Sequence, residues 1–387
     1  MRRLLLKNVR CLTPEGPSAP CDLALARGVV VPEPDAGTDT RVVDLEGRLL
    51  LPAFVNAHDV LDLAACPPLG RPPYDSLYEW TRAVGEEADR LSAALGLPLP
   101  DRLFLGAMRN LLAGVASVLH HHADHRALAR EEFPVRVQRR YAFAHSPGLT
   151  PALRRSYRTT DRRVPWLVRA AEGRDPALRA ELDVLAAANV LRQNTVIAHG
   201  TALEAADGPR LAAARVSLAW CPESDLRLYG RTVPALALRA AGVRVGLGTD
   251  GAHAGARDLL SSLAVAGRDG ALGPAGLVEL ATRGSADVAR MPLGGFDPGD
   301  PADLLVTGSL EDLLAGRRCA VSLLLVRGQA VFGEPALVAA SASAEPAALR
   351  VDGAEMALAA GLGRRLASLL RRCPAARKAA WLEGVAV

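Results

Sequence analysis

The sequence contains almost no lysine, since Lys7 and Lys378 are the only two among its 387 residues. The long region between them therefore lacks the amine needed for a Schiff base or for a carboxylated lysine that bridges two metal ions. The six cysteines are dispersed and form no C-x-x-C pair. Their spacing argues against a structural zinc site and against a disulfide framework.

A strong net charge and long apolar runs are also missing. The formal net charge is only +4, and no basic run is interleaved with aromatic residues, which argues against a nucleic-acid partner. No apolar run reaches the roughly 18 residues of a membrane span, and Met1–Lys7 is too soon charged for a signal peptide. We therefore expect a cytoplasmic protein whose partner is a small-molecule substrate, with neither nucleic acid nor membrane as a partner.

Short apolar runs and helical stretches alternate through the middle of the chain. The runs 116–119, 195–198 and 243–247 are typical of buried strands, and 101–113 and 274–289 are typical of helices. Such alternation predicts a parallel sheet with helical crossovers. The alternation extends over about 240 residues, a length that predicts a (β/α)₈ TIM-type barrel.

Strand-like segments also lie at both ends of the chain and bracket this middle region. We predict a small composite β-sandwich domain from residues 1–50 and 293–345, and the barrel from residues 51–292. Residues 346–387 are predicted to form a helical C-terminal tail. The segment 154–163 is polar and does not resemble a buried strand, so the barrel is predicted to be abbreviated on that side.

All eight histidines lie in the predicted barrel. His58, His199 and Asp250 each follow a predicted strand, and the run 120–122 ends another. Because the carboxyl ends of barrel strands meet at one rim, these side chains are expected to converge. Imidazole and carboxylate groups together suit Zn²⁺ or Fe²⁺. Taken singly, each has a simpler interpretation, since a strand-end histidine is often structural and Asp250 can cap a helix.

The histidine run cannot place all its side chains in the barrel. Side chains of an extended segment alternate between faces, so at most two of the three can point inward, and the middle one, His121, is expected to pack outside. His145 and His253 lie in loop-like segments and are expected to be solvated.

Five segments, in order along the chain, resemble motifs of the amidohydrolase superfamily, in the branch of chlorohydrolases and of guanine and cytosine deaminases. They are residues 52–58, 196–200, 216–228, 246–250 and 299–304. The resemblance implies a barrel enzyme that hydrolyses C–N bonds of a small molecule with a divalent metal, and it implies a homodimer.

The resemblance also implies roles for individual residues. The residues with implied catalytic roles are Glu172, His199 and Asp250. The candidates for substrate contact are Arg169, Trp220 and Ser224. If a metal is bound, the ligand set that this chain offers is His58, Asp250, His199 and His121.

Two of the implied ligand positions depart from the superfamily pattern. Val60 stands where a second histidine is expected on the first strand, and valine has no electron pair to donate. Arg169 stands where a later strand should supply a histidine, and its guanidinium brings a fixed positive charge close to the position of a dication. We expect Arg169 to pair with Asp250 or Glu172 instead, which favours a metal centre that is atypical or absent.

Three functions remain open at this point. The first is a metal-dependent hydrolase or deaminase with substitute ligands, binding Zn or Fe. The second is a metal-free enzyme, hydrolytic or not, in which Glu172 and His199 transfer protons and Arg169 binds an anion or stabilises an oxyanion. The third is a non-catalytic relative that binds a ligand or a partner protein.

Overall fold

The computed structural model describes residues 3–32 and 40–387. The strands of the N-terminal segment are β1 (Arg3–Thr13), β2 (Gly16–Pro17), β3 (Cys21–Ala26), β4 (Val29–Val31), β5 (Thr40–Asp44) and β6 (Leu49–Pro52). Those of the middle are β7 (Phe54–Asp59), β8 (Val115–His120), β9 (Arg136–Val137), β10 (Ala142–Ala144), β11 (Trp166–Ala170), β12 (Thr195–His199), β13 (Ser217–Trp220) and β14 (Arg244–Leu247). Those of the C-terminal segment are β15 (Leu304–Thr307), β16 (Leu323–Val326), β17 (Gln329–Gly333), β18 (Ala347–Val351), β19 (Ala354–Leu358) and β20 (Val385–Ala386).

Helices connect most of the middle strands. The helices before β11 are α1 (Leu77–Glu86), α2 (Ala88–Leu95), α3 (Leu99–Leu111) and α4 (Leu153–Arg158). Those that follow are α5 (Glu181–Ala187), α6 (Gly208–Ala213), α7 (Pro222–Tyr229), α8 (Ala235–Ala240), α9 (Leu259–Ala266), α10 (Pro274–Glu279) and α11 (Ser285–Ala289). The C-terminal segment adds α12 (Leu310–Leu314), α13 (Pro335–Ser341) and α14 (Ala360–Arg372). A π-helical turn, Leu280–Gly284, joins α10 to α11, so the stretch 274–289 predicted as helical is continuous.

The strands of the middle segment form an α/β fold of the TIM-barrel type. β7 to β9 make a parallel sheet of three strands, and β10 to β14 make a parallel sheet of five, both in chain order. The amides of Thr249 and Asp250, just after β14, donate to the carbonyl oxygen of His58 in β7 at 2.9 and 3.1 Å. The last strand therefore lies beside the first, and their C-terminal ends are adjacent.

The side of the barrel predicted to be abbreviated holds more structure than expected. Within the polar segment 154–163 the chain forms most of α4, and the short strand β10 precedes it. Among consecutive strands of β7 to β14, the shortest connection is instead the one from Val137 in β9 to Ala142 in β10. β10 spans only three residues, too few to show a strand period in the sequence.

A second sheet, of 12 strands, combines both ends of the chain. β6 pairs with β1 in parallel on one side and with β15 in antiparallel on the other, with Leu50 opposite Val306. β16, β17, β19, β18 and β20 extend the sheet beyond β15. Because one neighbour comes from the N-terminal segment and the other from the C-terminal segment, β6 joins the two chain ends in one sheet, and it leads directly into β7.

The prediction of a helical tail at residues 346–387 is wrong for its first part. β18 and β19 form a hairpin there, with Asp352 and Gly353 at its turn, both at positive φ (51° and 84°). An Asp-Gly pair between alternating apolar residues is a strong hairpin signal, because both turn positions need a left-handed backbone. The tail becomes helical only at Ala360. No described helix combines the length and apolarity that a bilayer crossing needs.

Candidate active site

Five ionisable side chains meet at the C-terminal ends of the barrel strands. His58 lies in β7, Arg169 in β11 and His199 in β12, while Glu172 and Asp250 follow β11 and β14. His58, His199 and Asp250 are fully buried, and Glu172 and Arg169 are 1% and 8% exposed. His199 and Asp250 also adopt positive φ (67° and 58°), which is strained for residues other than glycine and is concentrated at functional sites.

Arg169 lies between the two carboxylates and binds both. Its Nε and Nη2 donate to the two oxygens of Glu172 at 2.8 and 2.6 Å. Its Nη1 and Nη2 donate to the two oxygens of Asp250 at 3.3 and 3.1 Å. The hydroxyl of Tyr229 donates to Glu172 at 2.6 Å. The expected pairing of Arg169 with Asp250 or Glu172 is therefore present with both at once, which we call the Arg169 fork.

The Arg169 fork keeps both carboxylates ionised despite their burial. Burial by itself would raise the pKa of Asp250, but Arg169 and His199 hold that pKa well below its usual range. The same competition leaves the pKa of Glu172 lowered, with Arg169 and His199 outweighing burial. Against the effect of burial, the two carboxylates raise the pKa of Arg169 above its usual value. The three groups thus form a permanently charged unit in a nearly dry site.

The ring of Trp80 lies against the guanidinium of Arg169, and a second aromatic side chain packs on Trp80. The guanidinium lies 5.2 Å from the centre of the Trp80 ring, and the ring of His253 stacks on Trp80 at 5.0 Å. A cation over an indole face is a favourable arrangement. The expectation that His253 is solvated is wrong, since it is buried and its pKa falls to about 4 through burial. Exposed His145, in contrast, agrees with its prediction.

His199 is held by a chain of hydrogen bonds that the sequence did not reveal. Its Nδ1 lies 2.7 Å from Oδ1 of Asp225, whose other oxygen accepts from Thr232 at 2.9 Å. Trp220 donates in turn to Thr232 at 2.7 Å. Against the effect of burial, Glu172 and Asp225 raise the pKa of His199. The only sequence signal was that Asp225 replaces an asparagine of the motif that residues 216–228 resemble.

The free nitrogen of His199 points into the site. Nε2 has no hydrogen-bond partner among the described residues and lies 3.5 Å from Oδ2 of Asp250. An imidazole fixed at Nδ1 by Asp225, with a raised pKa and with Nε2 aimed at the site, can serve as a general acid or as an oxyanion donor.

The histidine run packs differently from the expectation. The middle residue, His121, points inward, and its Nδ1 lies 2.6 Å from Nε2 of His58. Its own Nε2 lies 3.1 Å from the carbonyl oxygen of Ala144. The alternation argument failed because β8 ends at His120, so His121 is not part of an extended strand. Burial lowers the pKa values of both His58 and His121 well below the usual range, so this pair is neutral.

A metal of the family type does not fit these side chains as they stand. Both oxygens of Asp250 accept from Arg169, and Nε2 of His58 is bonded to His121. Val60 is buried and offers no donor. A different trio, His58, His199 and Cys221, does bring its ligand atoms within 4.8 Å of one another. That trio has the nitrogen and sulfur donors that Zn²⁺ prefers, but it includes only two of the four predicted ligands.

The closeness of these residues depends on Gly248. A Cβ at Gly248 would lie 2.9 Å from Sγ of Cys221 and 2.9 Å from Cβ of His58, closer than real Cβ contacts occur. Only glycine therefore lets the end of β14 approach β7 and β13. Gly248 falls within the motif at residues 246–250, but its steric role depends on contacts with distant segments that the motif does not reveal.

The two other candidates for substrate contact, Trp220 and Ser224, are buried and bonded to neighbouring residues of the chain. Trp220 is buried and bonded to Thr232, as described above. Ser224 is buried in α7, and its hydroxyl donates to the carbonyl oxygen of Cys221 at 3.1 Å. In this arrangement both support the position of His199 and Cys221 rather than facing an opening.

A second buried ion pair, between Arg109 and Asp59, holds the strand ends that carry the site. The sequence did not predict it. Nη1 of Arg109 in α3 donates to Asp59 at 3.1 Å and to the carbonyl oxygen of Asp250 at 2.8 Å. Asn110 donates to the other oxygen of Asp59 at 2.6 Å. Burial nevertheless raises the pKa of Asp59 to about 6. Arg109 thus ties α3 to the ends of both β7 and β14.

Comparison with known proteins identifies what this chain resembles. The profile of the amidohydrolase family matches residues 167–353. The chain is 38% identical over 128 residues to the 5-methylthioadenosine/S-adenosylhomocysteine deaminase of Haloquadratum walsbyi, covering 30% of this chain and 29% of that protein. It is 31% identical over 154 residues to the 8-oxoguanine deaminase of Pseudomonas aeruginosa, covering 38% and 34%. The matched region thus spans only about a third of these relatives.

Solved structures extend the likeness in fold to most of the chain. An adenosine deaminase from Xanthomonas campestris with bound zinc superposes with a TM-score of 0.67 at 19% identity, over 84% of this chain and 92% of that one. The atrazine chlorohydrolase of Arthrobacter aurescens TC1, complexed with zinc, gives 0.66 at 18% identity, over 85% and 95%. At such identities the likeness concerns the fold alone.

Proposed function

Because the chain belongs to the amidohydrolase superfamily, we propose that it is a hydrolase of the deaminase type, acting on a C–N bond of a small molecule. The relatives named as deaminases of 5-methylthioadenosine and of 8-oxoguanine support a nitrogen heterocycle with an exocyclic amine as the substrate class. The proposed roles of Glu172, His199 and Asp250 rest on their convergence at the strand ends.

We also propose the homodimer that the resemblance implies, which light scattering can test.

One observation carries the second part of the proposal, that this centre works without the family's metal. The Arg169 fork places a guanidinium against both oxygens of Asp250, where a dication would need them. Two positive centres sharing that carboxylate would repel each other strongly in a site with little water. Arg169 therefore supplies the fixed positive charge of the site in place of the metal.

The residues present can carry out hydrolysis by acid–base chemistry. Glu172 is ionised and can accept a proton from a water molecule as that water attacks the carbon bearing the amine. Arg169 and the Nε2–H of His199 stabilise the negative charge that develops on the attacked group. Glu172 then returns that proton to the leaving nitrogen, the C–N bond breaks, and ammonia leaves while the carbon keeps the oxygen of the water as a carbonyl group. A substrate must displace part of the Arg169 fork to reach Glu172.

A second candidate, a metal-dependent hydrolase, is favoured by a different observation. His58, His199 and Cys221 are close enough to share one ion, with ligand atoms within 4.8 Å. An ion held there would supply Lewis acidity, and the three side chains would hold it. This candidate requires loss of the bond between His58 and His121 and deprotonation of Cys221, whose pKa burial raises well above its usual value.

Ammonia release from aminopurines, aminopyrimidines and their nucleosides tests the proposal. The wild type, the Glu172→Gln variant and a matched Glu311→Gln variant, whose carboxylate is exposed on α12, are compared after dialysis against a chelator. We expect release by the wild type and by Glu311→Gln, and loss of release in Glu172→Gln. Release that Glu172→Gln leaves intact contradicts the role of Glu172. Release that the chelator abolishes and Zn²⁺ restores favours the metal-dependent candidate, and no release from any compound favours a non-catalytic relative.

A further inference from the structure

Five arginines line a cavity of about 900 Å³ away from the candidate active site. They are Arg154, Arg158, Arg162, Arg192 and Arg215. Arg192 and Arg215 precede β12 and β13, whereas His199 ends β12, so the cavity lies at the opposite end of these strands from the Arg169 fork. Its volume falls in the range of roughly 300–1,000 Å³ that is typical of small-molecule sites.

The positive charge of this cavity is not balanced by the protein. In the described ranges, none of the five arginines forms an ion pair with a carboxylate, and the acid in the same segment, Asp161, pairs instead with Arg140 and Arg163. The adjoining surface adds Arg244 and Arg290. Burial and the nearby charge of Arg244 lower the pKa of Arg290, as expected where cations crowd together.

A purely structural role explains some of these arginines but not those that line the cavity. Arg244 and Arg290 both donate to the carbonyl oxygen of Gln193, at 3.1 and 2.5 Å, so they hold the loop between α5 and β12. Arg192 binds the side chain of Asn189. The guanidinium groups of the other four make no hydrogen bond to any described residue. They are Arg154, Arg158, Arg162 and Arg215.

The arrangement is also not a single basic run exposed by chance. Arg154 and Arg158 belong to α4, Arg162 to the loop before β11, and Arg192 and Arg215 to the loops before β12 and β13. Separate chain segments therefore bring unpaired guanidinium groups to one concave surface. Planar guanidinium groups bind phosphate oxygens in pairs, and several around one cavity match a ligand with several phosphates.

We propose that this cavity binds a small anion with two or more phosphate groups, such as a nucleoside triphosphate. Tyr157 lines the cavity beside the arginines and offers an aromatic ring to a base. The concave shape and the limited volume of about 900 Å³ favour such a small ligand over a nucleic acid, which would need an extended groove. The site is independent of the proposed hydrolase activity.

Isothermal titration calorimetry of the full chain tests this proposal. The titrated compounds are a nucleoside triphosphate, inorganic tripolyphosphate and a single-stranded DNA oligonucleotide. The variant carries Arg158→Ala, Arg192→Ala and Arg215→Ala. The matched control also removes three exposed arginines, all outside the cavity: Arg364→Ala and Arg371→Ala on α14, and Arg377→Ala in the turn that follows it. Circular dichroism confirms that each variant is folded before titration.

We expect triphosphate binding at physiological ionic strength that is about tenfold or more weaker in the cavity variant and nearly unchanged in the control. Tighter binding of the nucleotide than of tripolyphosphate indicates that the base contacts Tyr157, and equal binding indicates that only the phosphate chain is recognised. Equal weakening in the two variants overturns the proposal, because it indicates general electrostatic attraction. Binding of the oligonucleotide without binding of either triphosphate also overturns it and indicates a nucleic-acid surface.

Discussion

Replacement of Arg169 by methionine tests the Arg169 fork as a stabilising unit. Methionine keeps an unbranched side chain of similar length but removes the charge and every hydrogen-bond donor. Glu172 and Asp250, at 1% and 0% exposure of their side chains, then lose their shared counter-ion. Removal of one partner from a buried ion pair destabilises a protein by roughly 3–5 kcal/mol. A loss of that size is a large part of a total stability of about 5–15 kcal/mol.

Urea denaturation at neutral pH measures this effect, with the Arg174→Met variant as the control. Arg174 pairs with Asp75 at the surface, where the two side chains are 46% and 55% exposed. Such exposed pairs contribute less than about 1 kcal/mol. We expect the urea midpoint of Arg169→Met to fall far below that of Arg174→Met, and partial recovery when Glu172→Gln is added. Equal midpoints for the two single variants would refute the reasoning.

Three further predictions follow from the same contacts. Because Arg169 holds the pKa of Glu172 below its usual range, the wild type keeps this contribution to its stability above the ordinary carboxyl pKa and loses it as the pH falls below that pKa. The Arg169→Met variant should show the opposite trend and become more stable from about pH 7 to about pH 5, since protonation removes the uncompensated charge of its buried carboxylates. Asp225→Asn should lower the pKa of His199 in an NMR titration, because it removes one of the charges that raise it. Arg109→Met should destabilise the chain by roughly 3–5 kcal/mol in thermal or urea unfolding, and an unchanged midpoint would contradict the role assigned to this buried ion pair.

The sequence was most informative where ionisable side chains stand at the ends of predicted strands. His58, His199 and Asp250 end buried strands, and parallel strands bring their ends together, so the rim could be anticipated without a structure. The pairing of Arg169 could be anticipated from charge alone, because a buried guanidinium needs a carboxylate and two were near in the predicted rim.

The remaining features depend on packing between distant segments, which no local pattern records. Asp225 reaches His199 across 26 positions of the chain, and Arg109 reaches Asp59 across 50. His253 was expected in solvent because its segment resembles a loop, yet Trp80 from α1 covers it. The hairpin of β18 and β19 was missed although Asp352 and Gly353 signal it, because helical spacing of apolar residues further on was given more weight.

Metal content of the purified wild type is the most direct test of the central claim that Arg169 replaces the family's metal. The chain is purified without chelator, incubated with Zn²⁺ or Fe²⁺, desalted and analysed by inductively coupled plasma mass spectrometry, alongside an Arg169→His variant. We predict far less than one ion per chain for the wild type, and a gain of bound metal in Arg169→His, since that change returns a ligand and removes the opposing charge. One tightly bound ion per wild-type chain would contradict the account.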